Sequence, residues 1–219
     1  MKRHFEQELE SLKTNLIKMG SVTEEALALS LKSFFDKDDA LAREVIEGDE
    51  RINTLEIEID NAIIDLLALQ QPVAVDLRLI LAVQKINNDL ERIGDHAVNI
   101  AESAITLHKM NPADTLLEIP DMAKVAQSML RNALDGFIHR DARLGMSVLE
   151  QDDTIDELNR KSVTGFIKLM KGDQKHIDTG LDLIRISRNL ERVADLSTNI
   201  AEEVIFIAQA RVVKHHAGG

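Results

Sequence analysis

The chain repeats itself, and that is its strongest constraint. Asn88–Glu102 reads NDLERIGDHAVNIAE and Arg188–Glu202 reads RNLERVADLSTNIAE, with eight of fifteen positions identical at an offset of 100 residues. Chance gives about one identity over such a stretch. Upstream, Val45–Asn53 (VIEGDERIN) returns as Val148–Asp156 (VLEQDDTID) at an offset of 103. A repeat of this length requires two copies of one structural unit, each roughly 100 residues long.

Each copy reads as three helices. Phe5, Leu9, Leu12, Leu16, Met19, Val22, Ala26 and Leu29 recur at three- and four-residue spacing and predict a helix over about 4–35. The cluster Asp36–Asp39 interrupts it and supplies N-cap acids for a second helix over about 39–70. The apolar stripe of that helix is Leu41, Val45, Ile52, Leu55, Ile59, Ile63 and Leu66, and Gln70-Gln71-Pro72 ends it, since Pro disfavours the α region for its predecessor. A third helix spans about 74–109. Helices at about 120–139, 142–171 and 176–213 repeat the scheme, with Lys171-Gly172-Asp173 as the later punctuation. Composition agrees. Gly and Pro number 10 and 3, Trp and Tyr are absent, and six Phe remain, too few turn formers and aromatics for a sheet protein. The expectation is an all-α fold of two tandem, pseudo-symmetric three-helix bundles over residues 1–112 and 113–213, with the junction at Asn111-Pro112-Ala113-Asp114 and a frayed tail at 214–219. Duplicated bundles of this length commonly associate, so a homodimer is expected.

The net charge of −12 sets the class of partner. It opposes phosphate backbones and anionic lipid and favours cations or a basic protein, so no nucleic acid and no direct membrane adsorption are expected. There is no Cys, hence no thiolate nucleophile or Cys-ligated metal. The N-terminus MKRHFEQELE lacks the apolar core of a secretory signal, and runs such as Leu79–Val83 are far shorter than the ~20 residues of a membrane span. A cytoplasmic location is expected.

The repeated segment places Glu91 with Asp95, and Glu191 with Asp195, at i,i+4 on one helical face. Like charges so placed cost roughly 0.2–0.5 kcal/mol per pair, and keeping the pair in both halves points to a compensating cation. The second helix offers Asp49, Asn53, Glu56 and Asp60 at similar spacing; the fifth offers Asp152, Asp156 and Asn159. All-oxygen ligands suit Mg, Mn or Ca, and carboxylate clusters also hold iron. The competing reading is a solvated face neutralised by Arg92, Arg192, Lys85 or Arg188.

Catalytic signatures are missing. A di-iron bundle enzyme needs Glu-x-x-His on two helices, and none of the seven His has Glu three residues before it. Leu196 stands at the position equivalent to His96, so a ligand role in both halves fails and a structural role is expected. There is no HExxH, no phosphate-cradling Gly-rich loop and no nucleophile elbow. Met19, Met122 and Met129 are expected in the core. Pro72-Val73-Ala74-Val75-Asp76-Leu77-Arg78 is either a turn with a capping acid or an exposed recognition corner.

QPVAVDLR (Gln71–Arg78), DLERIGDHAVNIAE (Asp89–Glu102), NLERVADLSTNIAE (Asn189–Glu202) and VIEGDERIN (Val45–Asn53) together resemble the PhoU family over essentially the whole chain. The resemblance implies a non-enzymatic cytoplasmic regulator of phosphate uptake. Such a protein is a negative regulator linking the ATPase subunit of the Pst phosphate ABC transporter to the PhoR sensor histidine kinase, reaching the membrane only through these partners. It also implies divalent or multinuclear metal (Fe, Mn, Mg or Zn) on E(D)xxxD motifs. Those motifs fall on Glu91/Asp95 and Glu191/Asp195, completed by Asp49, Asp152 and Asp156. Gly94 and His96 stand where the second motif has Ala194 and Leu196, and Asn53 stands opposite Asp156, so the first cluster lacks one anionic ligand. The alternative is a carboxylate-bridged metal-storage or redox bundle.

Overall fold

A computed structural model describes residues 2–110 and 116–210. The helices are α1 (Lys2–Asp36), α2 (Asp39–Gln70), α3 (Ala74–Met110), α4 (Ile119–His139), α5 (Ala142–Leu149), α6 (Asp152–Gly172) and α7 (Ile177–Gln209), with a 3₁₀ turn at Gln174–His176 leading into α7. The all-α fold of two three-helix units is as expected. The junction at 111–114, the tail at 214–219 and the last residues of the sixth expected helix, 211–213, lie outside the described residues.

The first turn of each half is built alike. Lys37 is left-handed at φ 55°, and the Asp38 carboxylate accepts from the backbone N–H of Ala40 (2.9 Å) and Leu41 (3.0 Å) to cap α2. At the equivalent place Arg140 is left-handed at φ 51°, and Asp141 accepts from Arg143 N–H at 2.9 Å to cap α5. Gln71, also left-handed, closes α2 ahead of Pro72.

The continuous helix expected over 142–171 is divided at Glu150–Gln151. There Gln151 N–H donates to Val148 carbonyl (3.0 Å), tightening the last turn, while the Gln151 side chain donates to Ser147 carbonyl (2.9 Å). Asp152 and Asp153 then open α6, where the helix N-terminus favours acids. The cause is tertiary. Both segments lie on α7, and α5 is pressed so close that a Cβ on Gly145 would sit 3.0 Å from the Ala201 carbonyl oxygen.

The units meet through α3 against α7 and α1 against α4. Lys85 pairs with Glu203 and His96 with Asn189, so α3 and α7 run antiparallel and the halves are related by a pseudo-twofold. Helices α2, α3, α7 and α6 form one layer in that order, backed by α1, α4 and α5. One continuous apolar core fills both halves, and Met19, Met122 and Met129 are fully buried in it. In α1 the buried stripe departs from the expected one beyond Met19. Val22, Ala26 and Leu29 are half-buried, whereas Thr23, Leu27, Ser30 and Leu31 are buried. This end of α1 is covered by α4 as well, with Arg131 reaching Glu24 at 2.9 Å, which turns the shielded face.

Candidate functional site

Apart from buried Asp152, the acids singled out from the sequence line the outer face of the four-helix layer. In the second half, α6 brings Asp156 against Glu191 and Asp195 of α7. One carboxylate oxygen from each lies within 4.8 Å of the others, all three half-buried. Burial first, then the Asp195 charge, raises the Glu191 carboxyl above the usual range; Arg192 opposes this and Asp156 adds to it. Arg192 donates to Asp195 at 2.8 Å and lies 3.8 Å from Glu191, so one of the arginines expected to neutralise the stripe does so. Asp152, one turn before Asp156, is buried and is not part of the converging trio.

In the first half, Asp49 of α2 lies beside Glu91 and Asp95 of α3. The Glu91 carboxyl is raised by burial and by Asp95, Glu56 and Asp49. That of Asp49 is raised by burial and by Asp95, against the hydrogen bond from Asn53. Asn53 donates to Asp49 Oδ2 at 2.9 Å, and Asp49 Oδ1 is buried with no hydrogen-bond partner. Thus the neutral residue that replaces the equivalent of Asp156 ties up one Asp49 oxygen and leaves the other exposed to the Glu91–Asp95 field. Gly94 makes the approach possible, since a Cβ there would lie 2.9 Å from Ile52 and 3.4 Å from Asp49 Oδ1. Asp60 is held by Asn87, which donates at 3.0 Å.

These groups fit a hard cation. The second half offers three converging oxygens, and the first offers an orphaned buried carboxylate oxygen beside two more acids. His96 does not join either set. Its Nδ1 meets Asn189 Oδ1 at 2.8 Å across the α3–α7 seam, and burial lowers its pKa.

A groove of about 450 Å³ along the same seam is less evident in the sequence. Asp89 and Glu203 line it, and Asp89 is buried. Lys85 pairs with Glu203 Oε1 at 2.5 Å rather than with the acid stripe, and Glu203 Oε2 is buried with no hydrogen-bond partner. His108, also unremarked in the sequence, meets Asp39 at 2.6 Å where α3 ends beside the start of α2. For both pairs the only sequence signal is an apolar-face position occupied by a titratable residue.

The fold and face define a class: duplicated helical bundles that present a repeated acidic stripe on one broad surface. Comparison with known proteins gives the family. The PhoU domain matches residues 16–104 and 119–204, one copy in each half. The phosphate-specific transport system accessory protein PhoU homolog of Aquifex aeolicus is 37% identical over 209 residues, covering 95% of each chain. Its counterpart in Pseudomonas aeruginosa is 36% identical over 214 residues, 97% of this chain and 88% of that one. The crystal structure of PhoU from Pseudomonas aeruginosa superposes with a TM-score of 0.92 at 36% identity, covering 94% of this chain and all of that one. The phosphate transport system regulatory protein PhoU from Streptococcus pneumoniae superposes at 0.87 and 30% identity, covering 96% and 99%. The chain belongs to the PhoU family.

Proposed function

We propose that this chain is a non-enzymatic accessory protein of phosphate uptake that restrains transport and starvation signalling when phosphate is plentiful. It does so by contact with the ATPase subunit of a phosphate ABC transporter and with a PhoR-type sensor histidine kinase. The observation carrying this reading is the full-length relationship to proteins named as accessory to phosphate-specific transport. The acidic outer face supports it, because a surface of this charge selects basic protein partners. No helix among the described residues is long and apolar enough to cross a membrane, so in this reading the chain reaches the inner face of the membrane through its partners. Deleting the gene is expected to leave phosphate-responsive genes switched on in rich phosphate; full repression in the deletion strain refutes the reading.

A divalent metal on the outer face belongs to the same proposal. Asp156, Glu191 and Asp195 would hold it in the second half, with Asp152 behind them, and Asp49, Glu91 and Asp95 in the first. The ion would offset only part of the stripe's charge and would offer open positions to a partner's ligands. Elemental analysis of untagged protein tests this. Stoichiometric Fe, Mn, Mg or Zn that vanishes when Glu91, Asp95, Glu191 and Asp195 become Ala supports it, and metal-free wild type counts against it. Sedimentation of the same sample tests the homodimer.

A further inference from the structure

The acid stripes do not run the length of the outer face; each gives way to exposed aliphatic residues at the same register. On α2 the row Asp49, Asn53, Glu56, Asp60 continues, at helical spacing, into Ile64 and Leu67. On α6 the equivalent row Asp152, Asp156, Asn159 continues through half-buried Val163 into exposed Ile167. On α3 and α7 the rows run back from Asp95 and Asp195 to Leu81 and Leu181. The hydrogen bond from Asn87 to Asp60 and the contact of Gly94 with Ile52 fix the register of α2 on α3, and that register sets Ile64 level with Leu81. The bond between Ser187 and Asn159 does the same for α6 on α7 and sets Ile167 beside Leu181.

These four side chains are 61%, 41%, 40% and 56% exposed for Ile64, Leu81, Ile167 and Leu181 respectively. A single exposed aliphatic is ordinary, but an exposed pair kept in both copies of a duplicated unit marks a contact surface. Because α3 and α7 are antiparallel, the pairs lie at opposite ends of the layer, about 40 Å apart along the helix axes. The acids and the seam lie between them.

We infer that the outer face docks a homodimeric partner. One partner subunit covers Ile64 and Leu81, the other covers Ile167 and Leu181, and a basic surface between them meets the acid stripes. Two features of the face select this occupant. The pseudo-twofold presents equivalent anchors twice, which a two-subunit partner satisfies and a monomer uses only once. The charge excludes a second copy of this chain, since face-to-face pairing would set acid stripe against acid stripe. The inference rests on the adaptor reading above and deepens it. The ATPase subunits of an ABC transporter work as a pair, and that pair is the partner assigned here.

The test titrates the purified full-length chain with the purified ATPase subunit of the phosphate transporter and reads stoichiometry and affinity by calorimetry and sedimentation. The expected complex holds two ATPase subunits for each copy of this chain. Ile64→Ser with Leu81→Ser, and separately Ile167→Ser with Leu181→Ser, each weaken it tenfold or more, and all four together abolish it. Unchanged circular dichroism and melting of the variants keep folding out of the result, since all four positions are exposed. A one-to-one complex, a loss confined to one end, or binding that survives both pairs of substitutions overturns the inference while leaving an adaptor. Dimers of the chain itself that the substitutions dissolve also overturn it. Absence of any binding by the wild type removes the adaptor reading and this inference together.

Discussion

Replacing Asp89 by Asn tests the electrostatics of the α3–α7 seam. Asp89 is 7% exposed, and its carboxyl is pushed from 3.8 up to about 6, first by burial, with Glu203 adding and with Asn199, Arg92 and Lys85 opposing. In the unfolded chain the same group ionises at its ordinary value. Below pH 3.8 both states are protonated and the group costs nothing. As pH rises through about 6 that favourable protonated state is lost, and above it the folded protein carries the whole penalty. At 1.36 kcal/mol per pH unit the gap is worth about 3 kcal/mol, an upper figure if the groove relaxes or admits water. Asn has the same shape and no charge. The duplicated half already uses it: Asn189 occupies the equivalent position, donating to Arg185 carbonyl at 2.8 Å and meeting His96 at 2.8 Å. Asp89→Asn is therefore expected to stabilise the protein by about 1–3 kcal/mol at pH 7.5, with the gain shrinking toward zero at pH 4. Urea unfolding of both proteins at four pH values, with chelator present, measures the difference and cancels the titration of other carboxylates. A variant less stable than wild type at pH 7.5, or a gain that does not change with pH, refutes the assignment of a buried, destabilised charge.

Asp38→Ala removes the acceptor for two N–H groups at the start of α2 and is expected to cost about 1 kcal/mol in urea unfolding. Gly145→Ala places a Cβ 2.9 Å from Ile205 and 3.0 Å from a backbone oxygen; overpacking of about 1–3 kcal/mol outweighs the helix-propensity gain of about 1 kcal/mol. Gly48→Ala, where nothing lies within 4 Å, is expected to show the gain alone, and calorimetric melting of the two separates them. Arg192→Ala removes an exposed guanidinium from Glu191 and Asp195. It is expected to change stability by less than about 1 kcal/mol without metal and to enlarge the melting shift caused by added Mn²⁺.

Helix ends are legible where a local residue enforces them. Asp38 and Asp141 can cap from the sequence alone, and Pro72 stops α2 whatever surrounds it. The break at Glu150–Gln151 is not legible, and local propensity points the wrong way. At the equivalent place in the first half, Gly48 sits in an unbroken helix, while Gln151, a better helix former, marks the break. What decides is the packing of α5 on α7, which Gly145 permits but which the propensities at Glu150 and Gln151 do not encode. The candidate site divides in the same way. The i,i+4 acids can be read from one helix, but the convergence of Asp156 on Glu191 and Asp195 depends on how α6 registers against α7. The Asp89 groove depends on a helix still further along the chain, with Lys85 and Glu203 lying 118 residues apart.

The seam between the halves has the geometry of a subunit interface, yet both sides belong to one polypeptide. Two separate copies would meet only at sufficient concentration and would come apart on dilution. Joined in one chain, they hold the seam closed at any abundance, because closure is a unimolecular event with a high effective concentration. Joining also frees the two sides to differ. A symmetric pair with Asp at position 89 would bury that carboxylate twice, whereas this chain buries it once and has Asn189 at the equivalent position of the other half. The same joint therefore keeps one ionisable edge and one neutral edge.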